Sequence, residues 1–87
     1  MFMATVIIYG TMTCPYCMNA KELLKSKGVQ YQEILVDKNP EQKAEMLAKS
    51  NGRRTVPQIF IDGKHIGGFD DLEKLQNSGQ LDKLLAD

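Results

Sequence analysis

Thr13-Cys14-Pro15-Tyr16-Cys17 contains the only two cysteines of the chain and lies where an apolar run gives way to a helical pattern. Two thiols with two residues between them can close a small disulfide without moving the backbone far, and the positive end of a helix favours thiolate over thiol. The stretch therefore reads as a redox-active dithiol at a helix N-terminus. A purely structural disulfide here would close a loop of only four residues and remove little unfolded-state entropy. A zinc site needs four ligands, and beyond the two cysteines the chain offers a single, distant His65. A C-x-x-C beside a strand–helix–strand pattern is a recognised redox signal.

The segments on either side support that placement. Thr5 to Tyr9 is β-branched and aromatic, as a strand buried on both faces would be, and Gly10 is expected to break it. From Pro15 to Lys27 the apolar positions Cys17, Ala20, Leu23 and Leu24 recur at helical spacing. Pro15 suits the first turn and Gly28 the end. Cys14 then falls at the N-cap and Cys17 one turn inside. Tyr31 to Val36 alternates as a second strand, parallel to the first because a helix connects them. Asn39 followed by Pro40 and Gln42 predicts a capped helix with Ala44, Met46, Leu47 and Ala48 on its inner face, stopped at Asn51-Gly52. Gln58 to Ile61 and Lys64 to Gly67 read as strands joined by the two-residue turn Asp62-Gly63. Helix is expected from Asp70 to Asn77, interrupted at Ser78-Gly79 and resuming through Leu81, Leu84 and Leu85.

Composition narrows the partners. Eighty-seven residues with 43% hydrophobic content make one small domain. Eleven basic and eleven acidic side chains cancel, so no broad field attracts nucleic acid or an anionic membrane. A small-molecule or protein substrate is the expectation. Met1 to Tyr9 has no basic leading segment and too short an apolar core for a signal peptide, and no stretch approaches a membrane span. A cytoplasmic location is expected, where a lone cysteine pair is more often catalytic than structural.

Cys14-Pro15-Tyr16-Cys17, Gly52-Arg53-Arg54-Thr55-Val56-Pro57-Gln58-Ile59-Phe60-Ile61 and Gly67-Gly68-Phe69-Asp70-Asp71-Leu72 resemble three motifs of the dithiol glutaredoxins, in that family's order and spacing. With the intervening helices they cover nearly the whole chain. The resemblance implies an α/β, thioredoxin-like fold over residues 1–87: a mixed four-stranded sheet in the order β-α-β-α-β-β-α, flanked by helices. It also implies glutathione as co-substrate, no tightly bound cofactor, disulfide-containing or glutathionylated proteins as clients, and a monomer that engages neither nucleic acid nor membrane.

Roles follow residue by residue. At an exposed N-cap facing the N–H groups of Tyr16 and Cys17, Cys14 is the expected nucleophile; Cys17, shielded, resolves the mixed disulfide. Pro15 starts the helix and tunes how the sulfurs face each other. By resemblance, Tyr16 is a wall of a glutathione groove, although a plain surface tyrosine fits the sequence equally. Val56-Pro57 in isolation reads as a trans bond at a strand start. The resemblance points instead to a cis proline beside the dithiol, with the Val56 backbone free to pair with the cysteinyl part of glutathione. Gly67 and Gly68 permit close backbone approach. By resemblance, the Phe69 and Asp70 amides take the γ-glutamyl carboxylate and the Asp70 side chain takes the ammonium, a role compatible with simple helix capping. Asp71 reads as a solvated first-turn acid.

One position departs from the family. Many glutaredoxins have a lysine three residues before the nucleophile, where this chain has Thr11. Thr11 supplies no charge to the Cys14 thiolate or to the glycyl carboxylate of glutathione. Arg54 is the expected substitute for the second task, with Arg53 or Lys49 as poorer choices and ordinary solvated charge as the alternative for each. His65 reads as a strand surface residue without a partner. The methionines read as core filler or exposed singles, with Met12 and Met18 forming an apolar rim beside the dithiol. Two rivals share these residues: a redoxin reduced by a flavin reductase, against which Tyr16 and Gly67 to Asp70 argue, and an iron–sulfur carrier assembled from two subunits through Cys14, which the stiffness of Pro15 disfavours.

Overall fold

The computed structural model describes residues 4–86. Its elements run β1 (Val6–Gly10), α1 (Pro15–Ser26), β2 (Tyr31–Leu35), α2 (Pro40–Lys49), β3 (Gln58–Ile61), β4 (Lys64–Gly67), α3 (Phe69–Ser78) and α4 (Gln80–Leu85). One sheet has the spatial order β2-β1-β3-β4. β1 and β2 are parallel, with Val6 opposite Tyr31, while β1–β3 and β3–β4 are antiparallel. The mixed four-stranded sheet flanked by helices is the thioredoxin-like arrangement.

Side-chain alternation along the central strands builds a core on each face of the sheet. Val6 and Ile8 of β1 and Ile59 and Ile61 of β3 pack with Ala20, Leu24, Leu72, Leu81 and Leu85 from α1, α3 and α4. Tyr9 and Phe60 point the other way, to Ile34, Val36 and Met46. Their rings meet edge-on with centroids 5.6 Å apart. Asp62 and Gly63 both have positive φ, as the hairpin reading required, and the Asp62 carboxylate accepts from the Thr5 N–H at 2.8 Å.

Three local expectations need correction. Gly10 does not break β1: it pairs with Leu35, and its carbonyl accepts from the Val36 N–H at 2.9 Å. Asn39 occupies the N-cap of α2 but makes no side-chain cap; its amide donates to the Leu35 carbonyl at 2.9 Å. The capping box with Gln42 is therefore absent. Ala44 and Ala48 are exposed, because α2 meets the smaller core through the buried Met46 and the half-buried Leu47 beside it. Met1 and Met3 lie outside the described residues. Among the described residues no helix is long and apolar enough to cross a membrane.

Candidate active site

β1 delivers the chain through residues 11–13 to the start of α1, where Cys14 is the N-cap and Pro15 the first helical residue. The Cys17 N–H donates to Cys14 Sγ at 3.2 Å, filling one of the orphan amide positions of the helix terminus with sulfur. Cys14 Sγ also lies 3.7 Å from the Val56 carbonyl, to which its S–H donates. These two bonds draw the sulfur inward, so Cys14 is only 9% exposed, against the expectation of an open N-cap; Cys17, at 0%, is sealed as expected. Among the described residues the Cys17 N–H is the amide that bonds the sulfur, and the Tyr16 N–H does not.

Cys17 packs under the end of β1. A Cβ on Gly10 would come within 2.8 Å of Cys17 Sγ, so the bare backbone at that position makes room for the second sulfur. Burial, and then the hydrogen bond with Cys14, pushes the Cys17 thiol up from 9.0 to about 12, against an opposing backbone hydrogen bond from Thr11. Cys17 stays protonated at neutral pH. The pair thus comprises a rim sulfur held by amide and carbonyl, and a buried neutral thiol behind it. Both thiols are free.

A groove of about 320 Å³ runs between the start of α1, the segment before β3 and the start of α3, and Val56 in its wall is the residue whose carbonyl meets Cys14 Sγ. That volume is at the lower end, about 300 Å³, of small-ligand clefts. Tyr16, Val56, Pro57, Gly68, Phe69 and Asp70 line it, joined by Arg53, Thr55 and Asp71. Tyr16 is 59% exposed and stacks on Phe69 with centroids 6.5 Å apart. The Val56-Pro57 bond is cis, as the family resemblance implied. A somewhat larger concavity, about 370 Å³, opens beside Ile61, Lys64 and Leu84 and shares no lining residue with the groove.

Thr11 and Arg54 do not line the groove. Thr11 bears on the site through its backbone, at Cys17, and Arg54 is exposed outside the cleft wall, where Arg53 stands instead. Asp71 is not the solvated acid that its position suggested: its Oδ2 accepts from the Gly68 N–H at 3.1 Å and lies 3.6 Å from Arg53 Nη1. Gly67, at φ 118°, is bare because a Cβ there would strike the Asp71 carboxylate. Asp70, left free of that task, lines the groove exposed.

His65 is likewise no solitary surface residue. Its Nε2 lies 2.6 Å from Oε1 of the fully buried Gln58, and its ring tilts over Phe60 at 5.0 Å. Burial first, and then the charge of Arg53, holds its pKa below the usual histidine value, while Asp71 pulls the other way. The one polar residue in the otherwise apolar run Gln58-Ile59-Phe60-Ile61 was the available signal that a partner awaited it. Among the described residues, no cluster of three histidine, cysteine, aspartate or glutamate side chains could hold a metal ion.

The glutaredoxin family model matches residues 6–66. Over 83 residues the chain is 58% identical to Glutaredoxin 3 of Escherichia coli (strain K12), covering 95% of this chain and 99% of that protein. The chain belongs to the glutaredoxin family. It shares 49% identity and a TM-score of 0.84 with the solution structure of a glutaredoxin from Brucella melitensis, covering 99% of this chain and 92% of that one. With the crystal structure of a buckwheat glutaredoxin–glutathione complex the TM-score is 0.83 at 35% identity, covering 92% of this chain and 74% of that one. As a glutaredoxin, the protein is a glutathione-dependent thiol–disulfide oxidoreductase with glutathione as co-substrate.

Proposed function

We propose that this glutaredoxin reduces glutathione mixed disulfides through Cys14 alone and protein disulfides through Cys14 and Cys17 together, with the cleft from Tyr16 to Asp70 as its glutathione site. The observation that carries the reading is the junction of cleft and sulfur: the Val56 carbonyl, in the cleft wall, faces Cys14 Sγ at 3.7 Å. A ligand lying along Val56 therefore presents its own sulfur to the nucleophile.

In the one-cysteine route, the Cys14 thiolate attacks the glutathione sulfur of a mixed disulfide. The Cys14–glutathione bond forms, and the protein thiolate leaves and takes up a proton. A second glutathione thiolate then attacks, releasing glutathione disulfide and regenerating Cys14. In the two-cysteine route, Cys14 first joins a client sulfur. Cys17, once deprotonated, displaces the client as a reduced thiol and closes the Cys14–Cys17 disulfide, which two glutathiones reopen. The Cys17 N–H at 3.2 Å stabilises negative charge on Cys14 whenever it is the attacking or leaving sulfur.

The ligand is oriented by ordinary backbone chemistry. Its cysteinyl part pairs with the Val56 main chain as an added strand beside Pro57. Its γ-glutamyl carboxylate meets the Phe69 and Asp70 amides at the start of α3, next to Gly68, and the Asp70 carboxylate takes its ammonium. Tyr16 closes the opposite wall. Arg53, a cleft residue, suits the glycyl carboxylate better than Arg54 does, and Thr11 adds no charge. The working unit is a monomeric single domain of residues 1–87 acting on disulfide-containing or glutathionylated proteins in a reducing cytoplasm.

The test is turnover of a small mixed disulfide, following NADPH consumption through glutathione with glutathione reductase and, separately, through thioredoxin reductase without glutathione. Fast turnover in the first assay only is expected. Turnover confined to the second would overturn the cleft assignment.

A further inference from the structure

We propose that His65 is a positioning residue for the glutathione cleft, acting through Gln58 on the Thr55–Pro57 segment; this rests on the cleft being the glutathione site. Gln58 follows Pro57 directly and is fully buried. Its Nε2 donates to the Thr55 carbonyl at 2.9 Å and contacts Thr55 Oγ1 at 3.2 Å. With the amide nitrogen committed to Thr55, the oxygen must be the atom that faces His65 at 2.6 Å. An amide oxygen only accepts, so His65 carries its proton on Nε2 and donates.

The side chain of Gln58 thereby becomes a strut. One end is held by β4 through His65, and the other holds the main chain that leads into Val56, where the ligand is to pair. Phe60 supports the imidazole ring at 5.0 Å, fixing the direction of the donor. Arg53 and Asp71 are the charged groups that act on His65, with opposite effects, and both belong to the cleft wall. The imidazolium also keeps its Nε2–H, so the strut survives protonation and is not a pH switch.

Without the donor, the buried Gln58 oxygen loses its partner and the amide no longer has a single preferred orientation. Thr55 and Val56 would then be free to shift before a ligand binds, and binding would have to restore their order. The loss should appear in substrate affinity more than in the exchange step at Cys14.

The test uses the whole chain and steady-state kinetics with a glutathione mixed disulfide. His65→Phe keeps an aromatic ring on Phe60 but has no donor; its KM should rise about fivefold, the factor one net hydrogen bond commonly provides, with kcat within about twofold. His65→Gln places an amide N–H near the Nε2 position and should restore the KM. His65→Asn, one methylene shorter, should behave like His65→Phe and provides the same comparison if the phenylalanine variant does not fold. Asp70→Ala is the reference for the cleft itself. If Asp70→Ala raises KM while His65→Phe and His65→Asn do not, the role of His65 is wrong and the cleft assignment stands. If Asp70→Ala leaves KM unchanged, the cleft assignment fails and takes this proposal with it. A KM that stays raised in His65→Gln would mean that ring shape, not the donor, matters, and would also overturn it.

Discussion

Helices α1 and α2 both begin with a proline after a residue able to cap, Cys14-Pro15 and Asn39-Pro40, yet only the cysteine accepts a hydrogen bond from its own helix. Cap preferences alone would reverse this, since asparagine is among the strongest N-caps and sulfur is a weak acceptor. At α1 the amide of Cys17 is kept for a sulfur that gains negative charge during exchange. At α2, away from the dithiol, the cap residue instead ties down the end of β2 through the Leu35 carbonyl. One helix start serves chemistry, and the other serves the joint between strand and helix.

The largest effect that could break this contrast is at the sulfurs. Cys14→Ser should lose turnover in every assay while changing folding stability by less than about 0.5 kcal/mol, because serine caps well. Cys17→Ser should keep glutathione removal and lose most dithiol-dependent protein reduction, by about tenfold or more. An inactive Cys17→Ser variant on a glutathione mixed disulfide would mean that the two roles are exchanged.

A smaller effect sharpens the account of how the second sulfur is housed. Gly10→Ala forces a methyl group to within 2.8 Å of Cys17 Sγ and should cost about 1–3 kcal/mol, read as a lowered Tm of the reduced protein. Gly10→Ala in a Cys17→Ala background should recover much of that loss. No recovery would place the conflict elsewhere.

Alkaline titration separates the same buried thiol from the other core. Cys17 holds its proton in the folded state up to about 12, whereas the unfolded chain releases it from 9.0 upward. Its contribution to stability is therefore complete below pH 9 and is lost as pH rises towards 12. Tyr9, raised from 10.0 to about 12 by burial and its hydrogen bond to Glu45, adds a second loss that begins one pH unit later. Denaturant unfolding of Cys17→Ser should show the onset moved from near pH 9 to near pH 10; an unmoved onset would contradict the shielding of Cys17.

The smallest expected effect is at α2. A full N-cap is worth about 1 kcal/mol or more, but Asn39→Ala should cost only about 0.5 kcal/mol, the value of one exposed side chain–backbone bond. A loss of about 2 kcal/mol would show that Asn39 caps its helix in solution after all.

What could be read from the chain alone follows the range of the interactions involved. The dithiol at a helix start, the Asp62-Gly63 hairpin and the strand from Gln58 to Ile61 are written in neighbouring residues, and each is found where it was expected. The choice between Arg53 and Arg54 depends on which way a loop turns after α2, and local sequence does not specify that. Asp71 acquires partners only when α3 starts against Gly68 and Arg53, and His65 only when β4 pairs with β3 beside Gln58. Asn39 failed differently: its local signal was strong, but the Leu35 carbonyl, four residues back, was a competing acceptor.

The unequal depth of the two sulfurs also bears on chemical labelling. A bulky maleimide reaches sulfur only where a channel admits it, and Cys17 is closed on the β1 side by Gly10 and exposes no surface. A dye or crosslinker applied to the native reduced protein should therefore attach once, at Cys14, and a second equivalent should enter only as the fold opens, turning label count into a reporter of local unfolding.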